Sequence, residues 1–479
     1  MAREEQDQRT LVRRAEAWPL PNDPGEIAAP LPDGAHRRLS PTQAVTLGLL
    51  AVAVLVLALM RPGLAMESFH ALFFVGFMVN AGVKLAAACT PRAPFLSLPG
   101  PTASDALPVY TIIAPLYREA SVATELVANL SRLDYPRDRL QVLVMLEADD
   151  HETQAVFQAL PLPAFFQVVV APPGSPKTKP RACNIALERA RGDLIVIYDA
   201  EDAPHPGQLR EAAARFAAEG PDLACLQAPL RIEPDRRFLP DQFALEYAVQ
   251  FEVFLPALAR WGLPFPLGGT SNHFRASALH EIGGWDPYNV TEDADIGFRL
   301  AASGYRLDVI TLPTFETAPL SLRAWRPQRA RWVKGHMQTL AVHARGPAAR
   351  KPRGLLGLIL TLVLSVLSSH LHGPLFLWAV FTVAPALLGR PVLLHGPDVV
   401  LAVFGWGCVA IAGVRAQKRA GAAPRMLPLI GAVFYWPLQS LAAAQALVQF
   451  VVAPFHWDKT PHEPRVASPP LGRTGRPLP

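Results

Sequence analysis

Five short stretches carry residue types able to handle a charged, phosphorylated substrate. They are Pro115-Leu-Tyr-Arg-Glu119, Glu147-Ala-Asp-Asp150, Asp199-Ala-Glu-Asp202, Thr291-Glu-Asp293 and Gln328-Arg-Ala-Arg-Trp332. The first three directly follow β-rich apolar runs at residues 109–114, 140–146 and 193–198, and a further run lies at 166–171. Helix candidates fall between or after these runs, at 121–132, 153–159, 181–191 and 206–218. Apolar strands alternating with helices predict a mainly parallel sheet covered on both faces. Such a sheet binds ligands at the carboxyl ends of its strands. The acids therefore collect at one edge, where each close pair repels by on the order of a kcal/mol. A divalent cation would remove that repulsion, and oxygen-only donors suit Mg²⁺ or Mn²⁺. Asp150 has a simpler alternative use as a helix cap. The three acids at 199–202 exceed what one cap needs.

This α/β region, residues 105–346, lies between apolar segments. Residues 42–60 hold no charge and just match a bilayer core of about 30 Å. Residues 69–88 form a second apolar run, with Lys84 placed to reach the interface. Arginines before the first run and Lys84 and Arg92 at the end of the second put both flanks on the cytoplasmic side. Residues 355–388 could make two short spans broken at His372-Gly-Pro374, or one span and an interfacial piece. Further runs lie at 399–414 and 427–452, so three or four spans follow the α/β region. Residues 1–40 are polar and Pro-rich, predict a disordered tail, and do not resemble a cleaved signal. The segment from residue 454 is a second polar tail.

The chain has 479 residues, 51% of them hydrophobic and 18% charged, which excludes disorder for the whole. The net charge of +5 sits largely beside apolar runs, so it points to a membrane surface and not to nucleic acid. The four cysteines are widely spaced and frame neither a zinc site nor a disulfide scaffold.

Taken together and in this order, Asp199-Ala-Glu-Asp202, Thr291-Glu-Asp293 and Gln328-Arg-Ala-Arg-Trp332 resemble the signature motifs of family 2 inverting glycosyltransferases. The last is similar to the Gln-x-x-Arg-Trp motif of processive, membrane-embedded members such as cellulose, hyaluronan and chitin synthases. The acid variants and Phe455-His-Trp-Asp-Lys-Thr-Pro-His462 resemble bacterial inner-membrane β-glucan synthases. The resemblance implies a Rossmann-type, GT-A-like nucleotide-sugar domain inserted between transmembrane helices, with the catalytic part cytoplasmic.

It also implies roles. Pro115, Tyr117 and Glu119 would form the turn on the nucleotide, with Asp150, alone or with Asp149, on uracil or ribose. Lys179 matches a Lys-x-x-Ala-x-Asn pattern that holds the nucleotide; an ordinary surface lysine is the alternative. Asp199 would bind metal and diphosphate. The second metal ligand is open between Glu201 and Asp202, because this chain departs from Asp-x-Asp there. Asp293, beside Glu292, would be the general base. Gly269 and Thr270 would lie under the acceptor, and Gln328, Arg331 and Trp332 would hold diphosphate and acceptor sugar. Trp285 is either a packing residue or a sugar platform, and Lys459 and Thr460 of the tail are further candidates. The implied activity is transfer of a hexose, glucose from UDP-glucose, onto a growing β-glucan that leaves through the bilayer, with periplasmic or outer-membrane export partners. The rival readings are a transferase acting on a lipid acceptor and an inactive export or scaffold subunit.

Overall fold

The structure, a computed structural model, describes residues 26–27, 30–92, 107–233, 235–392 and 396–457. Most of the 1–40 segment lies outside that set, as do Lys459 and Thr460. Its last residues are ordered, contrary to the expected disordered tail. Ala35 is buried and donates its N–H to Asp286 (2.6 Å), and Ser40 caps the first membrane helix.

Two apolar helices, α1 (Pro41–Met60) and α2 (Pro62–Cys89), lead into the catalytic half. There β1 (Tyr110–Leu116), α3 (Ala123–Ser131), β2 (Leu140–Glu147), α4 (His151–Ala159), β3 (Phe166–Ala171), α5 (Lys179–Leu187), β4 (Leu194–Ile197) and α6 (Gln208–Ala218) alternate as expected. Then come β5 (Leu223–Gln227), β6 (Leu230–Ile232), α7 (Phe238–Val249), α8 (Leu255–Arg260) and β7 (Asn272–Arg275). Two short helices, α9 (Ala276–Glu281) and α10 (Glu292–Ala302), precede β8 (Arg306–Val309), β9 (Thr314–Glu316) and the long α11 (Leu322–Arg345). Seven strands form one sheet in the order β8-β5-β7-β4-β1-β2-β3. Only β7 runs antiparallel to its neighbours. β1 and β2 are buried along almost their whole length, because helices cover both faces of the sheet.

The chain then re-enters apolar territory with α12 (Pro352–Leu388), α13 (Gly396–Arg419) and α14 (Met426–Val452). Among the described residues, five helices are long and apolar enough to cross a membrane. The expected break at His372-Gly-Pro374 is absent: α12 continues through it, and the Gly373 N–H donates to Ser440 Oγ (2.8 Å) on α14. The inner ends of α2 and α13 are tied to the catalytic half. Arg419 donates to the carbonyls of Thr90 (2.6 Å) and Glu252 (3.0 Å), while Arg92 pairs with the buried Glu252 (3.1 Å).

α14 packs against α12 and also against α11 and α7 of the α/β half. Arg425, just before it, pairs with Asp241 of α7, and Gln242 donates to the Pro428 carbonyl (2.8 Å). Tyr435 bonds Glu246 (2.8 Å) and Trp325 (3.0 Å). Beyond its far end, Gln338 of α11 donates to the Pro454 carbonyl (3.0 Å).

α11 itself is locked onto the loop before α10. Asn289 bonds Thr339 (3.0 Å), and Gln338 accepts the Val290 N–H (3.1 Å). Glycine inside a helix costs about 1 kcal/mol relative to alanine. Gly335 stands there because a Cβ would lie 2.1 Å from Thr291 Oγ1. Gly335→Ala should therefore push α11 off the Thr291 loop, at a cost of about 1–3 kcal/mol. Lowered thermal stability and weakened nucleotide binding, compared with an alanine at exposed Arg326, would check this.

Candidate functional site

Lys179 opens α5, where Pro180 fixes the first turn, and its amine reaches back under the sheet edge. There it pairs with Asp199, donates to the Gly269 carbonyl (2.5 Å) and lies 4.0 Å from Glu292. Burial opposes its charge. Asp199 and Glu292 outweigh burial, and the ammonium is held above its ordinary value. The alternative reading as a surface lysine is therefore excluded. Asp199 follows β4; Glu292 and Asp293 open α10. An added Cβ on Gly269 would lie 3.4 Å from Asp293 Oδ2 and 4.0 Å from Asp199 Oδ2. The two carboxylates thus converge on a gap that exists because residue 269 lacks a side chain.

Asp202 follows a different course. It is fully buried, accepts the Asp199 N–H (2.7 Å) and the Thr270 hydroxyl, and does not line the cavity. Burial, then Asp199 and Glu201, push its carboxyl well above the usual range. A neutral, inward-facing carboxylic acid is a poor cation ligand, so of the two open candidates only Glu201 faces the cavity with Asp199. Thr270 likewise uses its hydroxyl internally, on Asp202 and the Ile197 carbonyl (3.2 Å). Among the described residues no group of three or more His, Cys, Asp or Glu side chains could hold a metal. Mg²⁺ is usually held by one or two carboxylates plus substrate phosphates. Asp199 and Glu201 fit that lesser demand.

The nucleotide-side residues meet at the ends of β1 and β2. Tyr117 donates to Asp149 (3.3 Å), and Lys177 bonds the same carboxylate (2.6 Å). Lys177 also stands 5.3 Å from the Tyr117 ring centroid, a contact the sequence reading missed although it lies in the same loop as Lys179. Asp150 caps α4 through the Thr153 N–H (3.3 Å) and also accepts the Arg118 N–H. Glu119 is buried and donates its backbone N–H to the Thr153 hydroxyl oxygen (3.1 Å). Pro115, Tyr117 and Glu119 line the cavity; Asp149 and Asp150 stand behind its wall.

Gln328, Arg331 and Trp332 line the cavity from α11. Arg331 donates to the Val290 carbonyl (3.3 Å) and covers the Trp457 ring at 4.4 Å. Trp332 sits under the Arg329 guanidinium (4.4 Å) and beside Phe243 and Tyr247. Trp285 is 1% exposed, edge-on to Phe274, and is a packing residue.

One cavity of about 990 Å³ connects all of this. It runs from Lys179, Asp199 and Asp293 past Trp332 into the space between α2, α12, α13 and α14. The architecture is a mixed α/β domain packed against a bundle of long apolar helices.

Residues 108–335 match the family model described as glycosyltransferase like family 2. The chain is similar to the mannosyltransferase PcManGT from Pyrobaculum calidifontis, solved in complex with GDP-Man and Mn²⁺. That match has a TM-score of 0.51 at 19% identity and covers 81% of this chain and 97% of that one. Beta-monoglucosyldiacylglycerol synthase of Synechocystis is 26% identical over 268 residues, 55% of each protein. The cellulose synthase 1 catalytic subunit of Komagataeibacter xylinus is 26% identical over 263 residues, 52% of this chain and 33% of that protein. The chain spans about half the length, or less, of the curated relatives it matches. Residues 108–335 thus have the mixed α/β GT-A fold and are similar in sequence to family 2 glycosyltransferases.

Burial raises Glu292 to about 7, against Lys179, and raises Asp293 as well. A base must be ionised to accept a proton. Falling pH protonates Asp293 and removes it. Turnover should therefore rise with pH along an acid limb that lies above the ordinary aspartate range. Glu292→Gln removes a neighbouring negative charge and should move that limb down. The pH dependence of kcat/KM for both proteins checks this.

Proposed function

We propose that this chain is a membrane-embedded inverting hexosyltransferase, using a UDP-sugar, most simply UDP-glucose, and a hydroxyl acceptor that arrives from the bilayer side. The continuous cavity between Lys179, Asp199 and Asp293 and the membrane helices carries this reading. Tyr117, Lys177 and the carboxylates behind them hold the nucleoside. Lys179 and Arg331 face the diphosphate, where a guanidinium fork matches phosphate oxygens. Asp199 and Glu201 would hold Mg²⁺ or Mn²⁺, which when bound neutralises the leaving diphosphate. Asp293 accepts the acceptor proton as the hydroxyl oxygen attacks C1 opposite the diphosphate, which inverts the anomeric centre. Glu292 keeps Lys179 in place.

Two acceptors fit. A growing β-glucan is supported by Gln328, Arg331 and Trp332 on the cavity wall, and by similarity to a cellulose synthase subunit. A lipid-borne hydroxyl is supported by similarity to a glucosyldiacylglycerol synthase and by the apolar space between the membrane helices. The geometry favours the lipid: α12 and α13 both line the cavity yet scarcely touch, which leaves it open sideways.

In this proposal the enzyme sits in a bacterial inner membrane with its catalytic half in the cytoplasm. α1, α2, α12 and α13 cross. α14, held along its length by α7 and α11, lies in the interface plane, so that the 453–457 segment stays beside the site. Labelling with a membrane-impermeant maleimide, with Cys89 replaced, tests the topology. Gly421→Cys and Ala453→Cys should both react from the catalytic side, and Gly389→Cys from the other. Reaction of Ala453→Cys from the opposite side would make α14 a span.

The activity is tested by UDP release from purified full-length protein given UDP-glucose and Mg²⁺ in native membrane lipid. Asp293→Asn should lower the rate by about 10²–10⁴-fold. Full turnover by that variant would remove the base. A β-linked product from the α-linked donor would confirm inversion. Absence of UDP release with every UDP-hexose would favour the inactive scaffold reading.

A further inference from the structure

The cavity contains a charge that the transfer reaction does not use. Lys84 lies in α2, six residues before Thr90, about 9 Å inside the helix end at about 1.5 Å per residue. It lines the cavity, and among the described residues it has no ion-pair partner. Glu246 is the carboxylate whose field it feels, but Glu246 is already bonded by Arg329 (2.7 Å) and Tyr435 (2.8 Å). Lys84 therefore shares its nearest interacting carboxylate with Arg329 and has none of its own. An ionisable side chain inside a membrane helix is costly and marks a ligand or ion path by default.

Above Lys84 the cavity turns apolar, with Phe77, Leu364 and Phe376 on its walls. It also opens sideways. Trp378, Val399 and Val403 line it and remain 42%, 42% and 68% exposed, facing where hydrocarbon would be. An apolar slot open sideways, ending in an ammonium that no carboxylate pairs with directly and lying on the same cavity as Asp293, is complementary to one kind of molecule. A bare sugar chain has no use for the slot. A neutral lipid has no use for the cation.

We infer that the acceptor is a lipid with a phosphate in its headgroup: its chains lie in the slot between α12 and α13, its phosphate faces Lys84, and a headgroup hydroxyl reaches Asp293. This rests on the transferase reading above. The step balances without another reactant. The hydroxyl oxygen forms the bond to C1, the C1–O bond to the diphosphate breaks with its electron pair leaving on UDP, and the proton goes to Asp293.

The test compares full-length wild type, Lys84→Met and Lys84→Arg, each purified in mild detergent. Lipid phosphorus bound after extraction is measured, together with UDP binding by calorimetry. Wild type should carry phosphate lipid, Lys84→Met should lose it about tenfold, and Lys84→Arg should keep it. UDP affinity should be equal in all three. Membranes given labelled UDP-hexoses should yield an organic-soluble product that binds an anion exchanger, lost in parallel in Lys84→Met. Equal phosphorus in wild type and Lys84→Met, or a labelled product that is neutral or polymeric, overturns the inference while leaving the transferase reading standing. Wild type that binds no UDP and turns over no UDP-hexose overturns the transferase reading itself.

Discussion

A single ammonium holds the catalytic end of this protein together. Asp199 comes from one segment and the adjacent pair Glu292 and Asp293 from another, and they would repel one another at the sheet edge without compensation. Lys179 stands among them, bonded to Asp199 and the Gly269 carbonyl and 4.0 Å from Glu292. Each contact depends on a different piece of the fold: the end of β4, the start of α5, the glycine turn before β7 and the start of α10. The glycine turn is itself pinned by Asp202 through Thr270. One acid of the 199–202 cluster is thus spent on shape, while Asp199 and Glu201 remain on the cavity. That division is what a longer-range pattern of three acids cannot express. It depends on which side chain the turn after β4 rotates inward.

Much of the first half of the sheet was legible. The apolar runs at 109–114, 140–146, 166–171 and 193–198 fall on β1 to β4 within two residues, because strands buried on both faces need unbroken apolar sequence. The second half was not. β7 carries Asn272 and His273, and β5 ends in Gln227, all buried. These polar groups are matched inside the core. His273 bonds Tyr110 (2.6 Å) and Gln208 (3.2 Å), and Tyr198 donates to Gln208 (2.6 Å). Burial pushes His273 down to about 3, so it sits there neutral. A strand whose buried His273 finds its partners 65 and 163 residues away has no local hydropathy signal. The motif acids stood out by residue type, but the type did not tell which of them serve structure: Asp150 caps α4 and Asp202 is bonded inward to Thr270, while Lys177 looked like any loop lysine.

α14 has the length and composition of a span, and its Tyr435, Ala442, Ala443 and Ala446 are buried in the same core as Phe243 and Trp325. Composition records only that a helix avoids water. What covers α14 in this chain is α12 on one side and α11 and α7 on another.

α11 turns residues of one helix toward three surroundings. Gln338, Thr339 and Gly335 face the α10 loop, Trp325 faces α14, and Arg331 and Trp332 face the cavity. Lys334, between them, donates to the His456 carbonyl (2.7 Å) and so sets Trp457 over Arg331. A shift of α14 therefore moves Trp457 and the Arg331 guanidinium together: the end of that apolar helix and the cavity face of α11 are parts of one contact.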